Sequence, residues 1–98
     1  MRVISKRRLR EFWIKYPDAK SSLEAWHSEI LKATWSSPQQ LKMQFKHASA
    51  LKNSRIVFNI AGNKYRLIVG IDYGRQACFI KFIGTHKDYD QINVEEIE

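Results

Sequence analysis

The sequence predicts an α+β fold, with N-terminal helices packed on one face of a small antiparallel β-sheet. Three observations predict it. Between residues 5 and 45 the apolar residues recur three and four apart, as on one face of a helix. From Arg55 the period changes to two and holds to Ile83. Two turn signals, Gly62-Asn63 and Asp72-Tyr73-Gly74-Arg75, divide that region into three strands with no helix between them, which makes a meander. The 98 residues are expected to form one domain ending in a short acidic tail, residues 91–98.

The elements follow in order. Arg2–Ile4 suits an edge strand. Ser5 is placed to cap a helix whose Leu9, Phe12, Trp13 and Tyr16 share one face, while Lys6, Arg7, Arg10 and Lys15 fall mainly on the others. Tyr16-Pro17 ends it, because a residue before proline avoids the α region. Ser21-x-x-Glu24 reads as a capping box for a second helix, with Leu23, Trp26, Ile30 and Ala33 turned inward. Ser37-Pro38-x-Gln40 opens a short third helix that turns Leu41 and Phe45 to the core, with proline at the first helical position, where no N–H is needed. The three tryptophans read as packing residues. In the sheet, Ile56, Phe58 and Ile60 alternate with Arg55, Val57 and Asn59, and Tyr65, Leu67, Val69 and Ile71 line the second strand. The third strand, Gln76–Ile83, is expected to carry Cys78, Ile80 and Phe82 on one face and to be broken by Gly84.

Composition excludes several classes of protein. With 44% hydrophobic and 12% aromatic residues the chain can build a core and is not expected to be disordered. The longest apolar run, about Leu67–Ile71, falls far short of the ~20 residues of a membrane span. The basic start has no apolar stretch behind it, so no secretory signal is expected. One cysteine, Cys78, precludes an internal disulfide framework and suits a reducing, cytoplasmic setting. The net charge of +7 is unevenly placed: residues 1–87 carry all 17 Lys and Arg against 5 acids, a balance of +12, and residues 88–98 carry the other 5 acids. A field of that sign attracts polyanions.

Register arithmetic places part of that charge. If Gly62-Asn63 and Tyr73-Gly74 are each two-residue loops, Asn59 stands opposite Arg66 and Arg66 opposite Lys81, while Phe58, Leu67 and Ile80 face the helices. Two cations directly opposite repel, so either solvent screens them or an anion such as phosphate neutralises them, and both readings stand. Lys64 would share the face of Arg66, and the segment holding His86, Lys87 and Tyr89 follows the Lys81 strand. Histidine exchanges protons near neutrality, with an ordinary pKa of ~6.5, and a phenol beside cations can orient a phosphate. His27, His47 and His86 show no metal-ligand spacing, and neither a G-x-S-x-G elbow nor a Walker-type phosphate loop is present. No metal or cofactor is expected. Cys78, set among apolar residues, reads as core.

Val57-Phe58-Asn59-Ile60-Ala61-Gly62-Asn63-Lys64-Tyr65-Arg66-Leu67-Ile68 resembles the strand–turn–strand signature of the HigB family of type II toxins. Ile83-Gly84-Thr85-His86-Lys87-Asp88-Tyr89-Asp90 resembles its C-terminal T-H-x-x-Y-D signature, and the spacing of Pro38, Leu41 and Phe45 also suits it. HigB toxins belong to the RelE superfamily of small basic ribonucleases. The resemblance implies a concave antiparallel sheet with helices on one side and cleavage of mRNA in the ribosomal A site. It also implies neutralisation by a HigA-type helix-turn-helix antitoxin, with operator DNA touched only through the antitoxin complex. T-H-x-x-Y-D points to His86, Tyr89 and Asp90, and F-N-x-x-G-N-x-Y-R to Asn59, Lys64 and Arg66. With Lys81 added from the register, the expected catalytic set is His86, Tyr89, Arg66 and Lys81, and the expected RNA contacts are Asn59, Lys64, Lys87 and Asp90. The chemistry expected is attack by a 2′-OH on the adjacent phosphorus, leaving a 2′,3′-cyclic phosphate. The rival reading is a non-enzymatic RNA- or ribosome-binding module, and a third is an interaction protein for an acidic partner.

Overall fold

A computed structural model describes residues 1–94 and residue 97. The chain runs β1 (Arg2–Ile4), α1 (Lys6–Lys15), a 3-10 turn (Pro17–Ala19), α2 (Lys20–Lys32), α3 (Pro38–Gln44), β2 (Ser49–Ala50), β3 (Arg55–Ile60), β4 (Tyr65–Asp72), β5 (Ala77–Thr85) and α4 (His86–Asp90). The described strands make one sheet in the order β1-β5-β4-β3-β2. It is an α+β fold, as the periodicity requires, but the sheet is mixed rather than wholly antiparallel. β1 is an edge strand as expected, yet it runs parallel to β5, with Val3 beside Cys78. A parallel partner needs a long crossover, and here everything from α1 to β4 serves as one.

The helix ends are built differently from the serine signals. Ser5 precedes α1 in the left-handed region, at φ 75°, and its side chain makes no cap. Ser21 lies inside α2, because the 3-10 turn after Tyr16-Pro17 runs straight into that helix and the Pro17 carbonyl accepts from the Lys20 N–H. The expected capping box is therefore not needed. Ser37 caps α3 as expected: its Oγ accepts from the Gln40 N–H, with Pro38 at the first position. At the far end of α2 the Met1 ammonium donates to the Leu31 and Ala33 carbonyls, at 3.0 and 2.9 Å. A cation satisfying orphan carbonyls also suits the negative end of the helix dipole.

One face of the sheet receives the helices. Leu9, Leu23, Trp26, Ile30 and Leu41 meet Ile56, Phe58, Ile60, Leu67, Val69, Ile71, Cys78 and Ile80 in one buried cluster. Trp26 and Trp35 belong to it as packing residues: Trp26 meets Phe58 edge-on, Phe58 meets Phe45, and Phe45 meets Trp35, at 5.5, 5.0 and 5.9 Å between ring centres.

The β3–β4 register holds, with Phe58 opposite Leu67 and Asn59 opposite Arg66. The loop is longer than two residues, but it is extended equally on both sides and so keeps the faces. Ala61 and Gly62 take left-handed φ values of 55° and 71° in it. The β4–β5 register departs from expectation. Tyr73–Gln76 form a four-residue loop between Asp72 and its partner Ala77. The loop is held by the Gln76 amide donating to the Tyr73 and Trp35 carbonyls and by Asp72 Oδ1 accepting from the Arg75 N–H. A bulge follows: Val69 pairs with Ile80 and Ile68 with Phe82, leaving Lys81 as the extra residue. Arg66 therefore stands opposite Gly84, not Lys81, and Leu67 opposite Ile83, not Ile80. The bulge also turns Phe82 away from the face of Cys78 and Ile80 and brings Ile83 against the core instead.

Gly84 continues β5 instead of breaking it. A Cβ there would lie 2.6 Å from Phe82 Cζ and 3.1 Å from Asp88 Cβ, so the missing side chain admits both the Phe82 ring and α4.

Candidate functional site

The face away from the helices carries three cross-strand rows. Asn59, Arg66 and Gly84 form the first, Val57, Ile68 and Phe82 the second, and Arg55, Gly70 and Phe79 the third. The middle row is apolar, with Val57 2% and Ile68 0% exposed and Phe82 half-buried. The flanking rows carry the charge. Alternation dictates this arrangement, since every second residue of β3 and β4 leaves the core.

At the first row the Arg66 guanidinium is held from two sides. Its Nη1 donates to Asn59 Oδ1, and its carbon sits 5.3 Å from the centre of the Tyr89 ring. Its buried Nε has no hydrogen-bond partner among the described residues. A planar cation locked by an amide and an aromatic face presents its remaining N–H groups in a fixed direction, which suits a phosphate.

Tyr89 reaches this position because α4 starts directly at the end of β5. Thr85 Oγ1 accepts from the Asp88 N–H at 3.1 Å, and Asp88 Oδ2 accepts from the Thr85 N–H at 3.2 Å, a reciprocal cap that fixes the helix direction. His86, the first residue of α4, is half-buried, and its Nε2 lies 3.3 Å from Asn63 Oδ1 in the β3–β4 loop. With that oxygen as acceptor, Nε2 carries the hydrogen and Nδ1 is left as a proton acceptor. Asn63 had been legible only as a turn residue. Lys87 and Asp90 stand exposed on the same helix, without a side-chain hydrogen bond or ion pair among the described residues.

The four cations do not converge. Lys64 leaves the open face altogether: its ammonium pairs with Asp18 in the 3-10 turn before α2, and the Tyr65 hydroxyl donates to the other Asp18 oxygen at 2.6 Å. The hydrogen bond from Lys64, and then that from Tyr65, holds the Asp18 carboxyl below its ordinary range, while Asp18 raises Lys64 and Tyr65 in return. Lys81, displaced by the bulge, leans over Gly70 and the Phe79 ring, with its ammonium 5.5 Å from the ring centre. Arg55, a residue read from sequence only as the start of an alternating strand, is the cation beside it. Asn59 also walls a cleft of about 310 Å³ between β3 and the segment after α3, lined by Lys46, His47 and Phe45 among others.

Other candidate groups are tied up. Cys78 is fully buried, and burial pushes its thiol up to about 12, so it is core and not a nucleophile. His27 is lowered first by burial and then by Lys6 and Arg10. Among the described residues no group of three or more His, Cys, Asp or Glu is placed to hold a metal ion, and no helix is long and apolar enough to cross a membrane.

A small α+β domain with a basic sheet face and an arginine, histidine and tyrosine gathered where β5 meets α4 has the form of a RelE-like toxin. Comparison with known proteins agrees. The family model HigB toxin, described as the RelE-like toxic component of a toxin-antitoxin system, matches residues 19–92. The mRNA interferase toxin HigB of Escherichia coli strain K12 is 33% identical over 92 residues, which span 92% of this chain and 88% of that protein. The mRNA interferase HigB of Shigella flexneri matches with the same figures, 33% over 92% and 88%. That of Escherichia coli O6:H1 is 29% identical over 94% of this chain and 91% of its own length. The chain belongs to the HigB toxin family. As the toxic component of such a system it has an antitoxin for a partner.

Proposed function

We propose that this chain cleaves messenger RNA on the ribosome and so inhibits translation, until a HigA-type helix-turn-helix antitoxin covers it. The relatives' shared name, mRNA interferase, supports the endoribonuclease activity. The observation that carries the reading is the Arg66 guanidinium, fixed by Asn59 and the Tyr89 ring beside the helix that His86 opens.

In this reading the 2′-OH of the nucleotide before the scissile bond attacks the neighbouring phosphorus. The O–P bond to the 5′ oxygen breaks and a 2′,3′-cyclic phosphate is left. Water takes the 2′-OH proton, and His86, having taken up a proton at Nδ1, donates it to the departing 5′ oxygen as the general acid. Arg66 stabilises the charge that builds on the phosphorane oxygens, the term that usually dominates such sites. Tyr89 orients the phosphate, and Asn59 holds Arg66 in place. Lys81 stands two to three residues along the strands from Arg66, ~8–10 Å at ~3.4 Å per residue, and does not share its phosphate. Lys64, paired with Asp18, contributes to the fold. Lys87 and Asp90 remain exposed positions for RNA contact. DNA lacks the 2′-OH and would not be cut. The basic residues of α1, exposed at Arg7, Arg8, Arg10 and Lys15, supply a field for docking on ribosomal RNA.

The test is expression of the wild type and of His86→Ala in growing cells, with mRNA 5′ ends mapped at codon resolution. The wild type is expected to produce new ends within translated frames and His86→Ala to produce few. Equal cleavage by the two overturns the role of His86. RNA binding by the wild type with no new ends would leave only a binding module. Incubation of purified protein with mRNA, with and without translating ribosomes, decides the ribosome dependence.

A further inference from the structure

We infer that Arg55 and Lys81, brought together over Gly70, form a second phosphate site for the RNA strand, separate from the one at Arg66. The inference rests on the reading of this face as RNA-binding but uses none of its catalytic steps. In the third row Gly70 is the residue without a side chain, and two cations fill the space. A Cβ at Gly70 would lie 2.8 Å from Arg55 Nη1 and 3.2 Å from Lys81 Cε, which sets those two atoms within about 6 Å of each other. The approach is built by the bulge, which turns Lys81 back along β5 toward Arg55. Like charges so placed repel, and an anion between them removes the repulsion.

The arginine already grips an oxygen. Its Nε and Nη2 both donate to the Ile97 carbonyl, at 3.2 and 2.9 Å, the two-pronged contact that a guanidinium makes with a phosphate oxygen. Its Nη1 reaches the Asn53 carbonyl at 3.5 Å. These partners are backbone carbonyls with partial charge only, so the positive charge of the pair is not neutralised by them. Among the described residues neither cation has a carboxylate partner, and the Lys81 ammonium makes no hydrogen bond. An incoming phosphate would take the place of the Ile97 carbonyl on Arg55.

The spacing fits a strand of RNA. Four residues of β3 separate Asn59 from Arg55, and the same number of β4 separate Arg66 from Gly70, so the two cationic rows lie ~14 Å apart at ~3.4 Å per residue. An extended ribonucleotide strand covers that distance in a few phosphates. Between the rows the half-buried Phe82 ring offers an apolar surface on which a base can rest. RNA lying along β3 and β4 would place its scissile phosphate at Arg66 and a later or earlier one at the Arg55–Lys81 pair.

The test measures the salt dependence of binding to a short 2′-O-methyl oligoribonucleotide, which cannot be cleaved, by fluorescence anisotropy. Each phosphate contact on a single strand contributes ~0.7 to the slope of log affinity against log salt. Arg55→Gln and Lys81→Gln are each expected to lower affinity several-fold and to reduce the slope by up to about 0.7, and the double variant by little more, because both cations serve one phosphate. Lys81→Arg is expected to keep the slope, and matched thermal melts establish that each variant is folded. Unchanged slopes in both folded single variants overturn the inference, as does a double variant that loses two full increments. Cleavage by the wild type is scored separately: a loss of slope without any nuclease activity refutes the nuclease reading alone, and nuclease activity with unchanged slopes refutes this inference alone.

Discussion

Replacing Gly84 by alanine tests the link between strand packing and α4, the helix proposed to carry the catalytic histidine. The added methyl would stand 2.6 Å from Phe82 Cζ and 3.1 Å from both Phe82 Cε1 and Asp88 Cβ. Carbon atoms rest at ~3.5–4.0 Å, so the Phe82 ring must withdraw by about 1 Å. The ring is half-buried beside Ile68, so part of the strain falls on its packing there. Overpacking of this kind costs about 1–3 kcal/mol. For a domain of this size each kcal/mol lowers Tm by ~4–8 °C, so the variant should melt roughly 4–24 °C below the wild type by circular dichroism. Asp88 must yield too, and it anchors the cap that aims α4. The shift passes to His86 and Tyr89, and a displacement near 1 Å can cost up to about 10²-fold in rate. Phe82→Leu in the same chain removes the ring atoms in the way and should recover part of the stability, an interaction that additivity excludes. A Gly84→Ala protein that melts within about 2 °C of the wild type and cleaves at its rate would refute the packing account of this glycine.

Three further outcomes are expected. Arg66→Gln should lower single-turnover cleavage by about 10²–10³, the usual loss of a charge-stabilising donor, and a smaller fall would show that the clamp lies elsewhere. Asp18→Asn should lower the urea midpoint at pH 7. Asp18 is held below its ordinary range, so its contribution is fully present above ~4 and is lost as pH falls through the lowered value; midpoints of the two proteins should converge in acid, and coincidence already at pH 7 would refute a role for the Lys64–Asp18–Tyr65 cluster. Removing residues 95–98 deletes three glutamates and the carbonyl on Arg55 and should raise RNA affinity at low salt; unchanged affinity would dismiss the acidic tail as a brake. The positions of Glu95, Glu96 and Glu98 themselves lie outside the described residues.

Much of the fold was legible because it rests on periodicity. The inward faces of α2 and α3, the β3–β4 register and the proline at the start of α3 follow from local patterns with strong physical causes. The β4–β5 register was not legible. It depends on a four-residue loop held by Gln76 reaching Trp35, a contact between residues 41 apart, and on a bulge at Lys81 that no local residue announces. That bulge separated Arg66 from Lys81 and created the pairing with Arg55. Lys64 was misplaced for a similar reason: its partner Asp18 lies 46 residues away and on the other layer. The parallel edge strand likewise needs knowledge of where β5 ends up. His86, Tyr89 and Asn59 were singled out by register, residue chemistry and the resemblance to HigB toxins, and the cap that aims α4 is written in Thr85-His86-Lys87-Asp88, a helix-start signal within reach of local reading.

The pairing of β1 with β5 sets an order on synthesis. Ala77, the partner of Arg2, is translated 75 residues after it. Until then the first strand has no hydrogen-bonding neighbour, and without it β5 would be left as an open edge. His86 and Tyr89 come later still. A nascent chain stopped anywhere short of β5 therefore holds neither a closed sheet nor the helix that carries the histidine.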